Sequence, residues 1–384
     1  MSALPYRRLA GFYFFYFAYL GAFAPFFTLY LDSVGMSAVE IGVLMSMPQL
    51  TRIVAPHLWG WLADRGDPGT SGLRIARLAG VAGTVSWLGL YAGTQFAWLF
   101  AVLLAVMFFW SAALPLVEAT TLTHLGDETA RYGRIRVWGS IGFIVAVIGV
   151  GYLLDHWPPQ AVLSIVLTLM LCMLALCWAV PDAKTPPHAS DTQPIWDIMK
   201  RPEVIALILA AALMAVAHGP YYTFYTIYLV DHGYSKSMAG WLWALGVICE
   251  IGIFVWMPHL YRAFTLRQIL LASFACAVLR FLLIGWLIDN FAALLFAQVL
   301  HAATFGSFHA AAIGVIHKLF RGRHQARGQA LYGSFAFGVG GALGGFASGY
   351  AWAGLGATWT FTLSSCAAFA GLLILWWNLR FAGT

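Results

Sequence analysis

Twelve apolar runs, each longer than twenty residues, follow one another along the chain at 9–31, 40–63, 73–93, 97–123, 134–154, 160–180, 203–230, 237–258, 266–288, 291–316, 328–350 and 356–379. A helix needs about 20 apolar residues to cross a bilayer. In hydrocarbon, an isolated span satisfies its backbone N–H and C=O groups only as a helix. The runs therefore predict an all-α integral membrane protein with twelve transmembrane helices. In a chain of 384 residues this leaves short connections and no room for a sizeable soluble domain. Charged residues make up 9% of the chain and hydrophobic ones 61%, whereas an ordinary globular protein carries about 25% charged residues. A soluble domain, a disordered chain and a nucleic-acid binder are all excluded.

The few charges orient the chain. The basic residues of the connections, from Arg7 and Arg8 through Arg74, Arg77, Arg131, Arg134, Lys200 and Arg201 to Arg380, fall on one side; Lys236 stands alone on the other. By the positive-inside bias, both termini are expected in the cytoplasm, and the net charge of +6 reflects that bias rather than an anionic partner. The first run is too long for a signal-peptide core and lacks a small-residue cleavage site. The five cysteines lie in apolar stretches without metal-ligand or CxxC spacing. They read as small core hydrophobes, so neither a metal nor a cofactor is expected.

The longest polar stretch, 181–202, reads as a cytoplasmic linker between an N-terminal six-helix bundle, 1–180, and a C-terminal one, 203–384. The halves repeat. A shift of 198 residues superposes Tyr30 and Leu31 on Tyr228 and Leu229, Gly35 on Gly233, Ser37 on Ser235 and Gly42 on Gly240.

Setting the connections aside leaves Arg52, Glu118, Glu250 and Arg280 inside spans, with Arg136 just inside the fifth. A charge at mid-bilayer costs at least ~3 kcal/mol on insertion scales. Such residues either lock helices together as pairs or face a substrate or proton pathway. The same shift places Arg52 on Glu250, which makes an ion pair between equivalent positions conceivable. His218, His301 and His309 also lie in spans. His301 and His309 are eight residues apart and so share a face, but a metal site would need further ligands at helical spacing. His301 follows Arg280 by 21 residues across one hairpin, which puts the two at similar depth. A histidine beside an arginine and an acid suits proton coupling. The first and seventh spans carry aromatic stripes that include Tyr19 and Tyr222; these either pack or line a cavity for an amphipathic solute. The glycines crowding 333–349 allow either close packing or a bending helix.

At these residues the chain resembles a known family. Gly60-Trp-Leu-Ala-Asp64-Arg65-Gly66 resembles the cytoplasmic-loop signature of the major facilitator superfamily, with its trailing basic residues displaced to Arg74 and Arg77. Pro115-Leu-Val-Glu118 followed by Tyr132-Gly-Arg-Ile-Arg136 resembles the branch that holds lactose permease and the phenylpropionate permeases. Glu118 and Arg136 are eighteen residues apart, as in lactose permease. Arg280 and His301 match the arginine and histidine of the ninth and tenth spans, with one residue more between them. Thr304 stands where lactose permease has an acid, and Glu250 comes about one turn late. The stretch His218 to Tyr225 is closer to the phenylpropionate permeases, and that likeness covers nearly the whole chain.

The resemblance implies the major facilitator fold of two pseudo-symmetric six-helix bundles, and a proton-coupled secondary transporter, not an enzyme, in the bacterial inner membrane. Its partners would be a small organic solute, protons and lipid, and it would work as a monomer driven by the proton gradient. Glu118, Arg136, Arg52, Tyr19 and Tyr222 are the expected solute contacts. Glu250, Arg280 and His301 would couple the proton, while Gly60, Asp64 and Arg65 would form the gate. With both acids ionised the three arginines leave +1 in the site, which suits a monoanion; the likeness over the whole chain favours an aromatic acid. The acid–arginine pair of the fourth and fifth spans points instead to a sugar or nucleoside. Export and a non-transporting role are the other readings.

Overall fold

The computed structural model describes residues 4–65, 72–126, 128–183, 196–320 and 324–379. Among the described residues, twelve helices occupy the expected spans. They are α1 (Tyr6–Ser33), α2 (Ala38–Arg65), α3 (Gly72–Leu88), α4 (Phe96–Leu125, with a turn at residues 111–112), α5 (Tyr132–His156), α6 (Ala161–Ala179), α7 (Pro202–Asp231), α8 (Lys236–Ala263), α9 (Leu266–Trp286), α10 (Phe291–Leu319), α11 (325–355) and α12 (357–378). Each expected run is a helix, with ends displaced by up to five residues. The last two run on as one long apolar stretch bent at Gly356, whose φ of 80° lies in the region that favours glycine. The chain is an all-α, multi-pass membrane protein.

The helices form two compact units. One holds 1–36, 50–189 and 235–240; the other holds 37–49, 190–234 and 241–384. These differ from the halves expected from sequence by an exchange of helix starts. The beginning of α2 packs with the C-terminal helices, and the beginning of α8 packs with the N-terminal ones. Most of the polar stretch between the halves, 184–195, lies outside the described residues.

The repeat extends to backbone detail. α1 ends at Ser33 and α7 at Asp231, and α2 begins at Ala38 and α8 at Lys236; both pairs are 198 apart. Gly35 and Gly233, in the two intervening turns, have φ of 84° and 81°. Glycines set the helix crossings at the same register. A Cβ on Gly142 would lie 2.1 Å from the Phe14 carbonyl oxygen, where α5 crosses α1. Its counterpart Gly340 would place one 2.5 Å from the carbonyl oxygen of Ala212, where α11 crosses α7. The exchanged helix starts repeat as well: a Cβ on Gly151 would lie 2.6 Å from the Lys236 carbonyl oxygen, and one on Gly349 2.7 Å from that of Ala38. Hydrocarbon supplies no hydrophobic drive between helices, so such backbone approach is a main source of packing energy.

Replacing Gly142 by leucine should lower the melting temperature of the detergent-purified protein, at about 1–3 kcal/mol for an overpacked contact. Gly149→Leu on the same helix, where a Cβ meets nothing within 4 Å, should leave it nearly unchanged.

Candidate transport site

The intramembrane charges fall into two clusters, one in each unit. The first is built on α1, α4 and α5. Glu118 is half-buried on the second segment of α4 and accepts a short hydrogen bond from the Tyr132 hydroxyl at the start of α5. One turn on, Arg136 lays its guanidinium 4.0 Å from the centroid of Phe17 and 5.7 Å from that of Tyr13. Gly139 makes room for it, since a Cβ there would lie 2.8 Å from the Arg136 guanidinium and 2.7 Å from the Phe17 ring. Tyr13 in turn donates to Thr121 Oγ1 at 3.3 Å.

Glu118 and Arg136 thus close no ion pair with each other. The acid rests on a phenol and the guanidinium on two ring faces. A cation held by π-faces keeps its N–H fork available for a planar acceptor. Tyr16 stacks on Trp110 at 5.4 Å. Arg52 itself is exposed and belongs to this unit, whereas Glu250 belongs to the other. Tyr19 is only 1% exposed, packed 4.2 Å from the Trp110 ring and against Phe23 and Trp87, in the aromatic core.

The second cluster is built on α7, α8, α9 and α10. Arg280 is wholly buried. Its Nε donates to the Ala297 carbonyl at 3.0 Å, and its Nη1 donates to His218 Nε2 and to Thr304 Oγ1, both at 3.3 Å. The Tyr221 ring lies 4.2 Å from its Cζ. His218 Nδ1 is 2.8 Å from the Met214 carbonyl and must donate to it. That leaves Nε2 bare to accept from Arg280, so the imidazole is held neutral in one tautomer.

His301 Nε2 faces Glu250 Oε2 at 3.8 Å. Its ring stacks between Tyr221, at 5.8 Å, and Phe305, at 5.6 Å. Gln298, fully buried, joins Tyr221 and Tyr225 by accepting from one hydroxyl and donating to the other. Tyr222 is half-buried and stacks on His218 at 5.9 Å. The stretch Ala302–Ser307 of α10 is a π-helical turn, a feature that concentrates at functional sites. Gly306 within it lets the Glu250 side chain lie close, since a Cβ there would meet Glu250 Cγ at 3.2 Å.

The expected proton-coupling set is therefore divided. His301 meets Glu250, while Arg280 spends its bonds on His218, Thr304 and a backbone carbonyl. His309 is reached through Phe305 and hydrogen-bonds Tyr332 at 3.4 Å; no group of ligands fit for a metal occurs among the described residues. Gly60 lies near the end of α2 with open space at its Cβ position, and the side chains of Asp64 and Arg65 and residues 66–71 lie outside the described residues. Tyr132, Gln298 and the bond between His218 and Arg280 do not emerge from a search for charge. Their signal in the sequence is weaker: a tyrosine opening the Arg136 motif and a lone glutamine in an apolar span.

Twelve helices among the described residues in a duplicated arrangement, with ionisable clusters on the spans of both units, define a secondary transporter of the major facilitator type. The chain belongs to the MFS_1 like family, whose model matches residues 6–363. It is 32% identical over 346 residues to the "Probable 3-phenylpropionic acid transporter" of Escherichia coli (strain K12), covering 86% of this chain and 87% of that one. It is 36% identical over 146 residues to the "Maltose permease" of Geobacillus stearothermophilus, 38% of this chain and 36% of that one. A mutant form of the nucleoside transporter NupG superposes with a TM-score of 0.88 at 16% identity, over 98% of this chain and 100% of that one, which shows the shared fold.

Thr304→Val removes an acceptor from a buried guanidinium. It should destabilise the protein by about 1–3 kcal/mol in thermal melting, while Thr304→Ser, which keeps the oxygen, should melt close to the unmodified chain.

Proposed function

We propose that this transporter is a proton-coupled symporter of small organic monoanions, with an aromatic carboxylate of the 3-phenylpropionate kind as its substrate. It works as a monomer in the bacterial cytoplasmic membrane by alternating access, with both termini cytoplasmic. The observation that carries this reading is the guanidinium of Arg136, bedded on Phe17 and Tyr13 and, among the described residues, not ion-paired with an acid. A carboxylate can take the fork edge-on, and an attached ring would meet further aromatic faces. Glu118, Arg52 and Tyr222 are assigned supporting solute roles, Tyr19 belongs to the aromatic core behind them, and the Gly60, Asp64 and Arg65 motif is assigned the gate. Glu250 is assigned the proton, with His301 as its neighbour. The 32% identity to the named 3-phenylpropionic acid transporter supports the substrate class.

One observation favours a second reading. Glu118 already accepts a hydroxyl hydrogen bond from Tyr132, and an acid so placed also suits a sugar or nucleoside hydroxyl. Uptake of labelled 3-phenylpropionate, maltose and uridine into proteoliposomes under an inward proton gradient separates the two. Accumulation of the aromatic acid alone is expected; accumulation of maltose or uridine instead would establish the second. Loading that proceeds only against this orientation of the gradient would indicate export.

Two substitutions sharpen the assignment. Arg136→Lys keeps the charge but loses the planar fork, and should raise KM for 3-phenylpropionate about tenfold or more. Glu250→Gln should abolish gradient-driven accumulation while preserving solute exchange between loaded vesicles and medium. Full accumulation in that variant would remove Glu250 from the proton's path.

A further inference from the structure

Away from the two intramembrane clusters, basic side chains converge at one end of the second unit. A part-open cavity of about 470 Å³ lies there, lined by Ile198, Arg201, Lys318, Leu319 and His324. Ile198 belongs to the short helix Trp196–Met199, and Arg201 is the residue that caps the start of α7. Lys318 and Leu319 end α10, and His324 opens α11. Segments far apart in sequence thus share one concavity. Cations and apolar carbon line it together, and among the described residues no acid does. Asp197 and Glu203 flank Arg201 in sequence without lining the cavity. The stretch 317–327 carries Lys318, Arg321, Arg323 and Arg327 and no acid at all.

The lining residues play different parts. Arg201 and Lys318 are exposed, so their charge acts on whatever enters. Lys318 has a further interaction within the chain and contributes charge rather than an open bond. An arginine fork can grip two phosphate oxygens at once, while a lysine acts as a point charge. His324 Nδ1 is buried and has no hydrogen-bond partner, which is costly for a polar atom. In the tautomer with its hydrogen on Nδ1, it offers one donor to a guest oxygen. Depth narrows the choice of guest. The cavity lies where α7 begins and α10 ends, the level at which a span gives way to the headgroup layer. Its volume falls in the range of small-molecule sites and leaves room beyond a bare phosphate.

We propose that this cavity binds the phosphodiester headgroup of an anionic phospholipid. Arg201 and Lys318 supply the charge, and the Arg201 fork and His324 Nδ1–H supply hydrogen bonds. Ile198 and Leu319 meet the glycerol and the first methylenes of the lipid. Basic pockets between helix ends suit such headgroups. One bound lipid then ties the entry of α7 to the elbow between α10 and α11. A free phosphate offers the same oxygens, and only the carbon that Ile198 and Leu319 meet separates the two sources. The site asks nothing of Glu118, Arg136, Glu250 or Arg280, so it stands or falls apart from the solute and the proton.

The test is lipid binding to the purified full-length protein in detergent, read by native mass spectrometry and thermal melting. The probes are phosphatidylglycerol, phosphatidylcholine with the same acyl chains, and inorganic phosphate. Phosphatidylglycerol should bind about tenfold or more tighter than phosphatidylcholine and raise the melting temperature. Inorganic phosphate at the same concentration should do neither. Arg201→Gln combined with Lys318→Gln should weaken phosphatidylglycerol binding about tenfold or more. It should leave the melting temperature of the lipid-free protein unchanged, since both side chains are exposed. Arg262→Gln removes an exposed cation near the end of α8, outside the cavity, and should bind like the unmodified chain. Inorganic phosphate that binds as tightly as phosphatidylglycerol, and is lost in the double variant, would uphold an anion site and overturn the lipid. Three results would each overturn the site: equal binding of the two lipids, a double variant that binds normally, or an Arg262→Gln variant weakened as much as the double variant.

Discussion

Hydrocarbon offers a charged side chain no water, so every ionisable group inside the helices must find its own environment or give up its charge. The whole arrangement of both clusters follows from that constraint. Arg136 is held by two aromatic faces in a pocket that Gly139 keeps open. Glu118 takes the Tyr132 hydroxyl. Glu250 is set against His301, and Arg280 is caught by a carbonyl, a hydroxyl and an imidazole fixed in one tautomer. None of these is the tight carboxylate–guanidinium pair that would lock helices together. Arg136 and Arg280 are each held by neutral groups among the described residues, and so remain able to answer a ligand.

The same solvent dictates the packing. With no hydrophobic drive between helices, the crossings of α1 with α5 and of α7 with α11 rely on backbone approach at glycine, at positions 198 residues apart. The duplication is thus a repeat of contact geometry, down to the matching left-handed turns at Gly35 and Gly233. The clusters do not repeat. α1 and α7 bring aromatic rings to both units, but the first unit sets a guanidinium on rings beside an acid, and the second sets an acid on imidazole beside a buried guanidinium. One scaffold, copied, carries two different chemistries, as expected if one unit mainly binds solute and the other mainly handles the proton.

Much of this was legible in the sequence because it depends on hydropathy, spacing and charge. The twelve helices, the register of the repeat and the positions of Glu118, Arg136, Glu250, Arg280 and His301 all stand out as apolar runs or as charges within them. Spacing across the hairpin sets Arg280 and His301 at similar depth, but that His301 faces Glu250 while Arg280 turns to His218 and Thr304 depends on helix rotation. The neutral partners were not legible. Tyr132, Gln298, Thr304 and His218 carry no charge to mark them, and which of them turns toward a charged neighbour depends on helix rotation. The exchange of the starts of α2 and α8 was hidden for a similar reason, since apolar periodicity marks where a helix is and not which neighbours it meets. Tyr19 shows the limit from the other side: an aromatic stripe reads alike whether it lines a cavity or, as here, fills a core.

The central claim is that a proton enters with a monoanion, so that the loaded carrier moves no net charge. A proton moved with a neutral solute would instead feel about 2.3 kcal/mol per 100 mV of membrane potential. Uptake of 3-phenylpropionate by proteoliposomes should therefore be measured with a pH gradient at zero potential, and with an interior-negative potential at equal pH. The account predicts accumulation under the first condition and none above equilibration under the second. Accumulation driven by potential alone, with no response to the pH gradient, would contradict it.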